Sequence, residues 1–151
     1  MTRDLVTNEF ERRNSAGFTL IELMVVIVIV AILATIALPS YQDYLMRSRI
    51  AEAVSALAAK RTSVEQFFDN NRTYVNAPAC ASDTTTSKSF SFSCTTATAT
   101  AYTIEALGTG QMAGFAFTID QSNVKATSAV PSGWSQPNPN TCWITRRGGI
   151  C

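Results

Sequence analysis

The chain of 151 residues contains no histidine. Without an imidazole it cannot assemble a Ser-His-Asp or Cys-His catalytic set, and it lacks the commonest nitrogen ligand of zinc. Its four cysteines do not replace that ligand, because none has the two-residue spacing of a zinc knuckle or of a thioredoxin-like redox pair. The sequence therefore predicts a protein that is not an enzyme and that uses no metal or cofactor.

Charge is also scarce, since charged residues make up 15% of the chain, against about a quarter in an ordinary soluble protein. Residues 1–17 carry three charges of each sign, residues 18–38 carry only Glu22, and residues 39–151 carry nine basic and seven acidic side chains. The scarcity of charged residues is thus concentrated in residues 18–38. At this length we expect one folded domain plus an extra segment.

Residues 18–38 form an uninterrupted and mostly apolar run. At a rise of about 1.5 Å per residue, a helix over this run would be about 30 Å long, which is the thickness of the hydrocarbon core of a bilayer. Arg12 and Arg13 precede the run, so the positive-inside rule places the N-terminus in the cytoplasm. No A-x-A-like site closes the run before Pro39, so we expect the mature protein to keep it as a transmembrane helix.

Residues 40–70 predict an amphipathic helix. Its apolar side chains recur at steps of three, four or seven residues, at Ile50, Val54, Leu57, Val64 and Phe68. We expect the acidic residues between them, Glu65 included, to be solvated. The helix should end at Asn70 and Asn71, because asparagine tolerates a left-handed backbone. Pro39 predicts either a bend in a continuous helix or a helix boundary.

Beyond Arg72 the composition shifts to Thr, Ser, Ala and Gly, with alternating apolar positions that predict four short antiparallel strands. The alternating sets are Phe90/Phe92/Cys94, Tyr102/Ile104/Ala106, Phe115/Phe117/Ile119 and Val124/Ala126. We place a connecting loop at about residues 71–88, the sheet at about 89–128 and a C-terminal loop at about 129–151. The predicted fold class is α+β, a long N-terminal helix packed on a small antiparallel sheet, with a disulfide-closed C-terminal loop.

The octapeptide GFTLIELM, from Gly17 to Met24, resembles the processing site of type IV pilins and of the related pseudopilins. The resemblance implies that a prepilin peptidase cuts between Gly17 and Phe18, removes residues 1–17 as a leader and methylates the new amine. It also implies a single-pass protein in the lipid bilayer of the bacterial inner membrane. The pilus assembly machinery would then pack residues 18–38 with other pilin subunits into the core of an extracellular filament, leaving residues 39–151 as the head.

Glu22 needs an explanation, because an acidic side chain within a spanning helix costs a few kcal/mol. It lies about one helical turn from Phe18. The resemblance implies a role in assembly, and we hypothesise that the carboxylate neutralises the Phe18 amine of a neighbouring subunit and so sets the axial register. In the alternative, Glu22 snorkels to the nearby interface. Pro39 also matches a family position, where the resemblance implies local bending or melting of the helix.

The cysteines all lie in the C-terminal half, at Cys80, Cys94, Cys142 and Cys151. An even count in an exported chain predicts two disulfides, and the residues alone leave three pairings open. We favour Cys80–Cys94 and Cys142–Cys151, because each pair is close in sequence and because the resemblance to pilins implies a disulfide-bounded C-terminal loop.

The last loop, CWITRRGGIC, places Trp143 near Arg146 and Arg147, and an aromatic ring beside cations is a candidate contact for DNA. Two arginines are few phosphate contacts, however, and the net charge of residues 39–151 is only +2. We therefore favour the alternative in which Trp143 packs under the loop and the two arginines are solvated.

Together with the resemblance, the sequence predicts a structural subunit of a type IV pilus of the type IVa kind. This prediction includes a minor pilin of the pilin E-like kind. Such a filament would serve adhesion, twitching motility or DNA uptake. One alternative is a type II secretion pseudopilin, which shares the N-terminal motif. The other is a non-polymerising, single-pass anchored periplasmic binding domain, which would need neither processing at Gly17 nor Glu22.

Overall fold

A computed structural model of the protein describes residues 17–151, so all of the predicted leader except Gly17 lies outside the described residues. The chain divides into two compact units, one that ends at Pro39 and one that comprises Ser40–Cys151. The helix α1 spans Leu20–Asn71. Four strands follow it, namely β1 (Phe90–Ala97), β2 (Tyr102–Gly108), β3 (Ala116–Asp120) and β4 (Lys125–Ala129).

The strands form one antiparallel sheet in the order β1-β2-β3-β4, so each strand pairs with its neighbours in the chain. Single turns of 3-10 helix lie at Pro78–Cys80 and at Gly110–Met112. The second of these turns allows only glycine at position 108, since a Cβ there would meet the carbonyl oxygen of Met112 at 1.9 Å. This architecture confirms the predicted α+β fold class.

In the first unit, the large apolar side chains of residues 18–38 are 51% to 87% exposed. This strongly apolar stretch of α1 contributes nothing to the core. By length and composition, this part of α1 can cross a bilayer. The apolar surface of the first unit is therefore unburied in the isolated chain.

In the second unit, α1 supplies one apolar stripe to the core. Ile50, Ala53, Leu57 and Val64 are fully buried, at helical steps of three, four and seven residues. They share one hydrophobic cluster with the inward side chains of the sheet, namely Phe90, Phe92, Tyr102, Ile104, Ala106, Phe117 and Ile119. The predicted stripe members Val54 and Phe68 are only partly buried at its margin.

The helix α1 ends at Asn71, as predicted, but the residue with the left-handed backbone is the next one. The left-handed residue is Arg72, with φ 56°, and its amide donates to the carbonyl of Phe68 at 2.7 Å. The side chains of Asn70 and Asn71 instead donate to the carbonyls of Gln66 and Phe67, at 3.0 and 2.9 Å. Both side chains therefore give a second donor to carbonyls near the end of the helix.

The expectation of a solvated Glu65 was wrong. Its carboxylate accepts hydrogen bonds from the hydroxyls of Tyr102 and Tyr74, at 2.7 and 3.1 Å, and lies 3.8 Å from Arg61. Burial first, and then this hydrogen bond to Glu65, raises the pKa of both tyrosines. The two rings come from the loop after α1 and from β2, so the cluster joins three parts of the second unit.

The fourth strand also differs from the expectation, because its fully buried residue is Thr127, while Val124 precedes β4 and is 50% exposed. The Thr127 hydroxyl donates to the carbonyl of Cys142 and accepts from the amide of Ile144. The side-chain amide of Asn140 pairs with both backbone groups of Thr127, at 2.8 and 2.9 Å. A polar residue can face inward here because the C-terminal segment satisfies its hydrogen bonds.

The loop between α1 and β1 is attached at two points. The Cys80–Cys94 disulfide joins it to β1, which confirms the favoured pairing. Asp83 joins it to α1 through the Lys60 ammonium, 2.7 Å away, and its backbone pairs with Phe92 of β1. The Lys60 ammonium, followed by the Thr86 hydroxyl and the amides of Thr85 and Thr86, holds the pKa of the Asp83 carboxyl well below its usual range.

Because the folded pKa of Asp83 lies below the unfolded value of about 3.9, its stabilising contribution is complete above that value and is lost as the pH falls towards the folded pKa. We expect Asp83→Asn to lower the free energy of unfolding at pH 6 and to flatten its decrease at acid pH. Urea unfolding between pH 6 and pH 2 measures both. Lys60→Gln removes the main cause of the shift and should flatten the same limb, so parallel acid limbs in all three proteins would refute this account.

Candidate functional site

The first part of the candidate site is the N-terminus of α1. Thr19 is the residue before the helix, and its amide and hydroxyl both donate to the Glu22 carboxylate at 3.0 Å. The Glu22 amide in turn donates to the Thr19 hydroxyl at 3.2 Å. This reciprocal arrangement is a capping box, which satisfies donors that the first helical turn cannot pair. Glu22 therefore has a local role in starting the helix.

The capping role of Thr19 was missed in the sequence analysis, although a threonine three residues before a glutamate, at the start of an apolar run, is its known signal. Phe18 lies on the same face as Glu22, since both line one shallow hollow together with Ile21, Val25 and Val26. Phe18 is 87% exposed, and Gly17 and Glu22 are exposed as well. The bond between Gly17 and Phe18 is thus accessible at the start of the helix.

Pro39 lies inside α1, so the alternative of a helix boundary at this position was wrong. The helix continues to Asn71 because proline removes only one donor, and the turns on either side keep their own hydrogen bonds. A role for Pro39 in bending or local melting during packing stays a prediction.

The second part of the candidate site is the C-terminal loop, which the Cys142–Cys151 disulfide closes as expected. Trp143 is only 8% exposed, and its indole N–H donates to the carbonyl of Thr118 at 2.8 Å. The Lys125 ammonium lies 4.8 Å from the centre of its ring. These contacts confirm the favoured alternative, in which Trp143 packs under the loop.

The two arginines of the loop differ in their contacts. The Arg147 guanidinium pairs with the Asp43 carboxylate of α1 at 3.0 Å and lies 5.9 Å from the centre of the Trp134 ring. Arg146 is exposed, and its backbone forms a bridge with Ile150 inside the loop. The ion pair between Asp43 and Arg147 joins residues that are 104 positions apart in the sequence, so no local sequence pattern could have predicted it.

The geometry offers binding and assembly surfaces. Among residues 17–151, no three side chains of the metal-binding types come together. The ionisable side chains with displaced pKa values in the head, Tyr74, Asp83 and Tyr102, serve contacts between the helix, the loop and the sheet. Exposed chemistry lies at the apolar start of α1, at the basic end of the head and at a hollow lined by Arg49 and Lys88.

Comparison with known proteins agrees with these features. The family model described as "Type IV minor pilin ComP, DNA uptake sequence receptor" matches residues 39–116, which is just over half of the chain. A second model, "Prokaryotic N-terminal methylation motif", matches residues 12–38. The two matches are adjacent and together cover the apolar helix, the amphipathic helix and the first half of the sheet.

Relatives with curated names are similar over a shorter stretch. A "Fimbrial protein" of Moraxella nonliquefaciens is 46% identical over 67 residues, which is 44% of this chain and 44% of that protein. "Type IV major pilin protein PilE1" of Neisseria gonorrhoeae is 44% identical over 42% of this chain and 33% of its own length. "Fimbrial protein EcpC" of Eikenella corrodens is 43% identical over 46% of each. The chain thus matches less than half of the length of these relatives.

The C-terminal disulfide should hold the tail on β4. Replacing Cys142 and Cys151 by serine should lower the free energy of unfolding by roughly 2–3 kcal/mol, because the unfolded chain regains the entropy of a short loop. Hydrogen exchange of the Ile144 amide, which bonds to the Thr127 hydroxyl, should become faster. The matched control is Cys80→Ser with Cys94→Ser, which should destabilise the protein without singling out the Ile144 amide. An Ile144 amide still protected in the first variant would contradict the prediction.

Proposed function

Because this chain belongs to the type IV minor pilin family described by the matching model, we propose that it is a structural subunit of a type IV pilus. The observation that carries the proposal is the exposure of residues 18–38, whose large apolar side chains are all at least half exposed. Such a surface needs lipid or other helices around it, and a filament of identical helices provides the second.

In this proposal the chain has three functional segments. Residues 1–17 are a leader that a prepilin peptidase removes, with cleavage between Gly17 and Phe18 and methylation of the new amine. Residues 18–38 anchor the precursor in the inner membrane and later form the filament core. Residues 39–151 are the head, exposed in the periplasm and then outside the cell. The match of the N-terminal methylation motif to residues 12–38 and the exposed Gly17 support this order of events.

Glu22 would then act twice. Before processing, its carboxylate caps the helix through Thr19. After processing, the Phe18 amine is a positive group on the same face of the helix, and the amine of one subunit can pair with the Glu22 carboxylate of the next. In a low-dielectric bundle, an unpaired carboxylate is costly, so this pairing would select one axial register.

Two variants separate capping from charge pairing. Glu22→Gln removes the charge but keeps a side chain that completes a capping box, whereas Thr19→Ala removes the cap and keeps the charge. We expect Glu22→Gln to abolish filaments in the sheared surface fraction. Thr19→Ala should destabilise the start of the helix by about 1 kcal/mol and should leave filament assembly intact.

Mass spectrometry of the N-terminal peptide provides the control for this pair. Both variants must begin with a methylated Phe18, which would show that processing occurred and that only assembly differs. Normal filament yield from processed Glu22→Gln would refute the charge-pairing role. An uncleaved chain that never enters the sheared fraction, in the parent protein, would refute the pilin proposal and favour the anchored binding domain. Processed parent protein found only in the membrane fraction would favour the pseudopilin alternative.

DNA uptake is a second candidate function, favoured by the description of the family whose model matches residues 39–116. Within this region Lys60 and Arg61 lie beside carboxylates, whereas Arg49 and Lys88 line one open hollow. We infer that Arg49 and Lys88 are better candidates for phosphate contacts than the C-terminal loop. Trp143, with its ring in the core, has no open face for a base to stack on.

The test of this second function is DNA binding by the full chain in zwitterionic nanodiscs, measured at several salt concentrations. We expect Lys88→Ala to weaken binding and to reduce the slope of log K against log salt by about 1, as the loss of one phosphate contact requires. Arg146→Ala is the matched control and should leave the slope unchanged. Loss of binding in Arg146→Ala alone would assign the contact to the C-terminal loop, and salt-independent binding in the parent would argue against phosphate recognition.

A further inference from the structure

A second basic feature of the head lies where the chain leaves its apolar helix. A hollow of about 230 Å³ joins the start of the amphipathic half of α1 to the C-terminal loop. Its lining residues are Asp43, Arg47, Trp134, Arg146, Arg147 and Ile150. Three guanidinium groups and one carboxylate give this hollow a net charge of +2, which equals the net charge of the whole head. The hollow is therefore a locally positive area, in addition to the hollow lined by Arg49 and Lys88.

Exposed apolar and aromatic groups adjoin these cations. Tyr41 and Tyr44 are 60% and 64% exposed, and with Arg47 they follow each other at steps of three along α1, on one side of the helix. Ile150, at the tip of the C-terminal loop, is 55% exposed. Tyrosines beside arginines, directly after a spanning segment, are the residues that anchor proteins at the surface of a bilayer.

The position in the chain agrees with that chemistry. Tyr41 follows Leu38, the last residue of the apolar run, by only three residues, so the start of this surface cannot be far from the headgroups when the run is in a bilayer. The Arg147 guanidinium is held in the hollow by Asp43 and by the Trp134 ring. Part of the surface is thus ordered before any ligand binds.

We propose that this surface, formed by Tyr41, Tyr44, Arg47, Arg146, Arg147 and Ile150, binds the anionic phospholipids of the membrane in which the precursor is anchored. The arginines pair with lipid phosphates, while the tyrosines and Ile150 enter the headgroup layer. The proposal rests on the membrane-anchored stage of the proposed function. It adds a contact that holds the head on the bilayer and that must be broken when a subunit leaves for the filament.

DNA fits this surface less well than a membrane does. Only three cations are present, one of them already paired with a carboxylate, and phosphate contacts of that number support weak binding to a duplex. The exposed Tyr41, Tyr44 and Ile150 have no partner in the groove of a duplex, whereas the interface of a bilayer accepts them. The observations therefore favour a lipid surface.

The experiment uses the full chain in nanodiscs that contain a lipid with a nitroxide on its headgroup, which quenches nearby tryptophan fluorescence. Trp134 lines the hollow, so quenching reports contact between this surface and the headgroups. We expect strong quenching in discs of phosphatidylcholine with phosphatidylglycerol, and weak quenching in phosphatidylcholine alone. Salt at 0.5 M should reduce the difference, because it screens charges at an exposed surface.

Arg146→Glu should lower the ratio of lipid-bound to free heads by roughly fivefold or more in the anionic discs. Arg72→Glu is the matched control, because it makes the same change of charge directly after α1, about 37 Å along the helix axis from Arg47. It should behave as the parent does. Unquenched tryptophan emission of both variants in phosphatidylcholine discs checks that the fold is intact, and Arg47→Glu provides a second variant if Arg146→Glu fails this check.

The outcomes separate this inference from the proposed function. A chain that does not co-purify with the discs argues against the membrane-anchored stage itself. A chain that co-purifies but shows equal quenching in both kinds of disc, or equal effects of Arg146→Glu and Arg72→Glu, overturns the lipid surface alone. Displacement by millimolar inorganic phosphate would identify a small-anion pocket instead. Binding of a short DNA duplex at this hollow, without any dependence on phosphatidylglycerol, would identify a nucleic-acid surface.

Discussion

The apolar surface of residues 18–38 is the constraint on which the rest of this protein depends. Water cannot cover so much hydrocarbon without a large cost in free energy, so the surface must be covered by lipid or by other helices. A single glutamate near its start makes the two environments unequal. In the chain by itself Thr19 donates to the Glu22 carboxylate, and in the proposed filament the Phe18 amine of a neighbouring subunit would be a further partner.

Each edge strand of the sheet is partly covered by another segment of the head. At one edge, the Asn140 side chain and the tail occupy backbone groups of β4. At the other edge, Asp83 pairs with Phe92 of β1. Open strand edges are templates for pairing with another chain, so this covering shields part of each edge. The loop and the tail that cover these edges are also the two segments held by disulfides. The same covalent bonds therefore stabilise the head and hold the segments that cover its strand edges.

The charged residues of the head fall into two groups, those that form ion pairs within the head and those that are exposed at its surface. Lys60 with Asp83, Arg61 with Glu65 and Arg147 with Asp43 each connect separate segments or successive turns. These pairs use three of the nine cations of residues 39–151. Arg47 and Arg146 line one hollow, and Arg49 and Lys88 line another, so exposed positive charge lies in separate groups rather than in a uniform field.

The sequence by itself determined the apolar helix, the amphipathic continuation and most of the strands, because each depends on a short-range period or spacing. The cysteine pairing was favoured from closeness in sequence together with the resemblance to pilins, and the structure confirms it. Even the Thr19–Glu22 cap was readable, since its partners are three residues apart. Only the tertiary structure decided that Glu65 is held by two tyrosines and that a threonine faces inward on β4. The packing of Trp143 under the loop was the favoured expectation, and the tertiary structure supplied its partner, the carbonyl of Thr118. These outcomes depend on hydrogen bonds between residues far apart in the chain, and whether a polar group can be buried is known only when its partner has a position.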